Sequence, residues 1–156
     1  MLERISISVQ TADFDLAAEY ARLAADASIG AIVQFVGRVR ERCDGHMVRS
    51  LHLEHYPGMS EKVLHEIAGR AMARWDLLGI RIVHRVGRLE PADQIVLVQV
   101  AATHRAAAFE AAEALMDLLK TEAPFWKQEA TPDGARWLDA RETDERAAQR
   151  WRKGTT

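Results

Sequence analysis

Ile80-Arg81-Ile82-Val83-His84-Arg85-Val86, the tetrapeptide Glu90-Pro91-Ala92-Asp93, and Gln94-Ile95-Val96-Leu97-Val98-Gln99-Val100-Ala101 decide the fold of this chain. The two flanks are strand-length runs rich in β-branched residues, and the tetrapeptide carries turn chemistry, so the stretch reads as two strands joined by a turn. Upstream, Val63, Leu64, Ile67, Ala71 and Trp75 repeat at helical spacing and predict an amphipathic helix from about Ser60 to Trp75. Downstream, a helix from about Thr103 to Lys120 is expected to bury Phe109, Ala112, Met116 and Leu119.

Farther out, Ile5, Ile7 and Val9 alternate with polar residues, the period of a half-buried strand. Asp13 is the expected cap of a helix from about Asp15 to Ala27, with Leu16, Tyr20 and Leu23 on one face. The apolar run from Gly30 to Gly37 predicts a strand buried on both faces, with Arg38-Val39-Arg40 emerging from the core. Residues 41–48 turn at Asp44-Gly45 and read as a loop, and Leu51, Leu53 and His55 mark a strand that Pro57-Gly58 ends. Trp137-Leu138 reads as a short strand and Thr143 to Trp151 as a polar terminal helix. Hairpins thus mix with crossovers, which predicts an α+β fold rather than a doubly wound parallel sheet. With no linker in 156 residues, one domain is expected over 1–156, its tail polar from about residue 143.

Composition narrows the function. A formal net charge of −2 argues against general nucleic-acid binding, which relies on excess basic charge to release phosphate counterions. No apolar run reaches the roughly 18 residues that span a membrane, and Met1-Leu2-Glu3-Arg4 lacks the order of a secretory signal. A single cysteine, Cys43, rules out an internal disulfide and fits a reducing compartment, so the expected location is cytoplasmic. Cys43 and His46 have no second ligand pair nearby, and His52 and His55 face opposite sides of a strand, so no metal site is expected.

Three clusters can carry chemistry. Arg38 and Arg40, two residues apart at a strand end, project from one face and form a two-pronged anion clamp; solvated strand-end arginines are the plain alternative. His104 and Arg105 open a helix whose free N–H groups already favour an anion, so cations there point to a bound anion or, more simply, to local packing of the histidine. Lys120 and Lys127 are two of only four lysines, set around Ala123-Pro124-Phe125-Trp126. The helix dipole alone explains Lys120, but not Lys127. Pro124 must end the helix and turn the chain back, which would leave Lys127 beside Lys120. Paired ammonium groups in partly apolar surroundings depress each other's pKa, and that makes a lysine a usable base or nucleophile.

Taken together and in order, Phe35 to Arg40, Leu53-Glu54-His55-Tyr56-Pro57-Gly58-Met59, His84-Arg85-Val86-Gly87, Thr103-His104-Arg105 and Leu119 to Lys127 resemble the large, catalytic subunit of molybdopterin synthase. The resemblance runs from about Ile5 to Trp151. It implies an α/β hammerhead fold with an additional antiparallel β subdomain, and a sulfur transferase of molybdenum-cofactor biosynthesis. Such enzymes convert cyclic pyranopterin monophosphate to molybdopterin, taking two dithiolene sulfurs from the C-terminal Gly-Gly thiocarboxylate of a small ubiquitin-like partner subunit. It further implies a homodimer of large subunits within a heterotetramer, and no resident cofactor.

By the same resemblance Lys120 and Lys127 match the essential lysines. Arg38, Val39 and Arg40 match a substrate segment, and His104 and Arg105 a pair supplied by the neighbouring large subunit. Gln128 and Glu129 follow the second lysine in the substrate-binding stretch, Gln128 standing where the family often has a basic residue, and Arg141 matches another basic residue near the pocket. Cys43 reads as incidental, because the partner carries the sulfur. In the expected mechanism the arginines and His104 hold phosphate and pterin while Lys120 moves protons or stabilises negative charge, tuned by Lys127. A non-catalytic module that binds a ubiquitin-like tail or a phosphorylated ligand is the rival reading. A phosphoester hydrolase would need a nucleophile or metal-carboxylate cluster that the chain lacks.

Overall fold

A computed structural model of the chain describes residues 3–138 and 142–152. The elements run β1 (Ile5–Gln10), α1 (Leu16–Ala24), β2 (Ala31–Arg38), β3 (Arg42–Cys43), β4 (His46–Met47), β5 (Ser50–His55), α2 (Met59–Arg74), β6 (Leu77–Arg85), β7 (Gly87–Leu89), β8 (Gln94–Ala102), α3 (Arg105–Glu122), β9 (Phe125–Thr131), β10 (Gly134–Leu138) and α4 (Glu142–Arg152). One four-stranded sheet has the order β1-β6-β8-β2 and a second has β10-β9-β5-β7. In the first, β1 lies parallel to β6 while β6–β8 and β8–β2 are antiparallel; every pair in the second is antiparallel. This is the expected α+β arrangement, with the second sheet as the additional antiparallel β subdomain.

Strand alternation explains how the layers join. Ile80 and Ile82 of β6 and Val96, Val98 and Val100 of β8 point to the face covered by α2 and α3, where Leu64, Ile67, Leu115 and Leu118 complete the main core. On the opposite face Val83 and Leu97 pack with Phe14, and Arg81 forms an ion pair with Glu19 of α1 at 2.9 Å. The Arg81 guanidinium beside it holds the Glu19 carboxyl below its ordinary range. The turn at Glu90–Asp93 forms as predicted, with Asp93 N donating to Glu90 O. Between the two paired strands, however, the chain breaks at Gly87, whose φ of +88° only glycine adopts freely, and β7 leaves to join the second sheet. That excursion ties the two sheets together.

Several sequence-based expectations are corrected. Asp15 rather than Asp13 caps α1, accepting from Ala17 N and Ala18 N, because Asp13 instead accepts from Phe14 N and from the side chain of Gln94. Tyr20 lies on the outer side of α1 and is exposed, since only Leu23 of that helix is buried. Phe109 is 62% exposed: the buried stripe of α3 runs through Ala108, Ala111, Ala112, Leu115 and Leu118, and Phe109 falls a full 100° step beyond Ala108. The Gly30–Gly37 segment is not buried on both faces, because β2 is an edge strand and Phe35 remains 41% exposed. Residues 41–48 form a small hairpin around Asp44-Gly45, both at positive φ, as a two-residue hairpin turn requires. The segment 125–131, expected only to fold back, is the β9 strand that pairs with both β5 and β10.

Candidate functional site

The last turn of α3 presents Lys120, where a cation suits the helix C-terminus, and the helix ends at Glu122 before Pro124. Phe125 N donates to Ala123 O across the turn, and β9 departs along β5. Because side chains alternate along a strand, Phe125, Lys127 and Glu129 share one face of β9, with Trp126 and Gln128 on the other. That face closes a cavity of about 500 Å³ lined by both lysines together with Arg38, Val39 and Arg40. Pro124 therefore brings Lys127 back to Lys120, as its chemistry predicts.

The opposite wall is built by the end of β2 and the β7–β8 turn. Val39, buried, exchanges backbone hydrogen bonds with this turn, its N–H donating to Asp93 O and its carbonyl accepting from Ala92 N. Ala92 sits at φ +76°, a left-handed conformation that costs a non-glycine residue about 1 kcal/mol. Its carbonyl accepts from Arg38 Nε at 3.1 Å, so the strained turn anchors Arg38 and leaves the terminal guanidinium nitrogens for a ligand. Val39 is thus a wall rather than a polar contact. Arg40 Nη2 lies 3.6 Å from Cys43 Sγ, and Cys43 itself is buried in the cavity wall.

Five cationic side chains, Arg38, Arg40, Lys120, Lys127 and Arg136, meet three carboxylates, Asp44, Glu129 and Asp144, in this space. Glu129 is 2% exposed and forms an ion pair with Arg136 directly across the strand pair at 3.2 Å. The surplus is positive, and apolar Leu51, Ile95 and Phe125 supply low-polarity walls. Such a site holds an anion with a flat or apolar body. A recess of about 530 Å³ between α2 and Glu122 is lined by one cation, Arg70, which pairs with Glu122, itself also paired with Arg152.

Not every expected residue reaches the cavity. His104 is the N-cap of α3 and Arg105 its first residue; both are exposed and neither lines the cavity of its own chain. They lie at the far end of the helix from Lys120, about 24 Å away at 1.5 Å per residue. Gln128 is on the outer face of β9, opposite His52 and Trp137. Arg141 lies outside the described residues. Among the described residues no group of three His, Cys, Asp or Glu side chains could hold a metal, and no helix is long and apolar enough to cross a membrane.

Sequence reasoning assigned nothing to three residues found here. Arg136 and Asp144 fall in segments without a distinguishing motif, whereas His84 stood in a quoted string, His84-Arg85-Val86-Gly87, whose purpose only packing reveals. His84 is buried and stacks face to face on Phe125, centroids 3.9 Å apart at 10°. Burial is the main cause that lowers its pKa to about 4, and the charges of Lys127 and Lys120 lower it further.

The family model for the MoaE protein matches residues 9–122, most of the chain. The chain belongs to the MoaE family. A relative from Ralstonia nicotianae, a molybdopterin synthase catalytic subunit, is 58% identical over 147 residues, covering 94% of this chain and 84% of its own length. The solved MoaE protein from Burkholderia ambifaria MC40-6 superimposes with a TM-score of 0.81 at 55% identity, covering 94% of this chain and 97% of its own. Molybdopterin synthase from Staphylococcus aureus shares the fold with a TM-score of 0.76 at 30% identity, covering 89% and 99%. Membership makes the chain an enzyme, with the catalytic role of molybdopterin synthase in molybdenum-cofactor biosynthesis.

Proposed function

We propose that the cavity between Arg38-Val39-Arg40 and Lys120–Lys127 is where cyclic pyranopterin monophosphate receives its two dithiolene sulfurs. The observation that carries this reading is the convergence of both lysines and both arginines on one space with apolar walls. Guanidinium groups hold phosphate by paired charge-assisted hydrogen bonds, and Leu51, Ile95 and Phe125 suit the flat pterin. Lys120 transfers protons and stabilises the negative charge that develops as the thiocarboxylate sulfur adds to the pterin carbon and water then cleaves the acyl–sulfur bond, leaving the sulfur on the pterin and releasing the glycine carboxylate; Lys127 assists from β9. The sulfur donor is the C-terminal thiocarboxylate of a small ubiquitin-like subunit ending in Gly-Gly. That the relatives are catalytic subunits supports a companion subunit in this role.

His104 and Arg105, at the far end of α3 from Lys120, complete the site from a second copy of this chain, a role that rests on their match to the family's pair. The unpaired edge of β2 and the exposed Phe35 and Phe109 are the surface we assign to that homodimer, the centre of a heterotetramer. Ile95 packs against the cores of both sheets, which supports one domain across the chain. Glu129 holds Arg136 in the wall, Gln128 contributes only backbone, and the lone cysteine fits a cytoplasmic location.

The test is Lys120→Ala assayed with thiocarboxylated small subunit. Removing a proton-transfer group lowers turnover by about 10²-fold or more. Near-wild-type dithiolene formation would defeat the assignment of proton transfer to Lys120.

A further inference from the structure

Behind Phe125, which lines the lysine cavity, stacks one buried side chain that the reaction does not need as a ligand or base. His84 follows Ile80 and Ile82 in the alternation of β6 and continues their helix-covered face. Its Nδ1 lies 2.9 Å from the Arg85 carbonyl oxygen. A carbonyl only accepts, so Nδ1 carries the proton, and the neutral ring keeps its lone pair on Nε2.

The face of the ring lies flat on Phe125, the first residue of β9, and His55 of β5 stacks on the same phenyl ring at 6.2 Å and 29°. His55 is tied down in turn. Ser60 Oγ gives its one hydrogen to Tyr56 O at 3.0 Å, so at 3.1 Å it accepts from His55 Nδ1. Phe125 therefore contacts two oriented rings, and it stands two residues before Lys127 and five after Lys120.

We propose that His84 is the positioning residue of the lysine pair: its neutral ring, tied to the Arg85 carbonyl and laid flat on Phe125, fixes the α3-to-β9 turn that brings both ammonium groups into one cavity. The proposal rests on the reading of that cavity as the reaction site. Neutrality is part of the design. The charged or titratable groups acting on His84 are Lys127 from β9, Lys120 from α3 and His55 from β5, with Arg85 next to it on its own strand, so a charged ring would add one more cation to a positive cluster. The depressed pKa, set mainly by burial, accords with that requirement.

The experiment compares His84→Ala, His84→Gln and His84→Phe in the complete complex with thiocarboxylated small subunit. Phenylalanine keeps a flat, neutral ring; alanine and glutamine do not. Misplacing a reacting group by about 1 Å costs up to about 10²-fold, so H84A and H84Q are expected to lose at least about 10-fold in kcat, with KM for the pterin within about twofold. H84F should recover most of that loss, and the lysine-dependent limb of its kcat–pH profile should match the wild type while those of H84A and H84Q shift. Wild-type kcat in H84Q, or equal impairment in H84F and H84Q, overturns the proposal.

A second measurement needs no turnover. Acylation of Lys127 and Lys120 by an amine-reactive ester is read by peptide mass analysis against exposed Lys62. The ratio should change in H84Q and not in H84F; an unchanged ratio in H84Q overturns the proposal. Failure of the wild-type complex to form dithiolene would sink the functional reading, and the acylation ratio would still decide the role of His84.

Discussion

Replacing His84 by phenylalanine keeps a ring against Phe125 but removes a buried group that resists protonation. In the folded chain His84 has a pKa of about 4, against an ordinary 6.5. Between these values the unfolded chain binds a proton that the native state refuses, so stability falls as pH drops through the window. Above pH 6.5 neither state is charged and nothing is lost; below about pH 4 both are charged and the loss is complete. At about 1.4 kcal/mol per pKa unit, the gap between the two states corresponds to about 3 kcal/mol, a sizeable share of the roughly 5–15 kcal/mol that holds a domain folded.

Urea unfolding of wild type and H84F at about pH 7, 5.5 and 4.5, at one fixed protein concentration, measures this difference. At neutral pH the variant is expected to be less stable by about 1–3 kcal/mol, because the Arg85 carbonyl loses its donor. On acidification the wild type loses stability faster, and the two curves converge or cross. Asp13, Glu19 and Asp26, whose carboxyls are held below their ordinary ranges by hydrogen bonds from Gln94, Arg81 and Ser28, titrate alike in both proteins and cancel. Parallel curves across the window would refute the assignment of the missing proton to His84.

Three further outcomes follow from named contacts. Asp15→Ala removes the acceptor for Ala17 N and Ala18 N and should lower stability by about 1 kcal/mol, whereas a midpoint unchanged in thermal unfolding would mean that the cap is not needed. Arg38→Gln should raise KM for the pterin monophosphate by about 10-fold or more with a smaller effect on kcat, since a charge-assisted contact of about 1.5–3 kcal/mol is lost; an unchanged KM would place the phosphate elsewhere. Phe109→Asp puts a charge on the exposed apolar surface assigned to the proposed homodimer and should leave the large subunit monomeric in sedimentation, where the wild type is expected to be dimeric, without loss of helical signal; a dimeric variant would reject that surface.

Local chemistry in the chain was enough to predict much of this protein. Apolar periodicity located α2 and the β6 and β8 strands, because burial on one face imposes a period that any partner would demand. Pro124 forced the reversal between Lys120 and Lys127, since a proline cannot continue a helix whoever its neighbours are. The five quoted motifs, taken in order, were sufficient for the family.

Packing decided the rest. Phe109 and Tyr20 look apolar enough for a core, and only the position of α3 and α1 over the first sheet sets which stripe of each helix is covered. Asp13 and Asp15 are equal candidates for a cap until Gln94, distant in sequence, claims one of them. His84 is a lone histidine in a strand by sequence; its stack on Phe125 depends on residues from another sheet, and its proton affinity on burial that no local pattern encodes. The sequence by itself determined which side chains carry charge and where the chain must turn. Only the tertiary structure determined which of those charges share a cavity, because proximity across sheets arises from how the two cores pack and not from spacing along the chain.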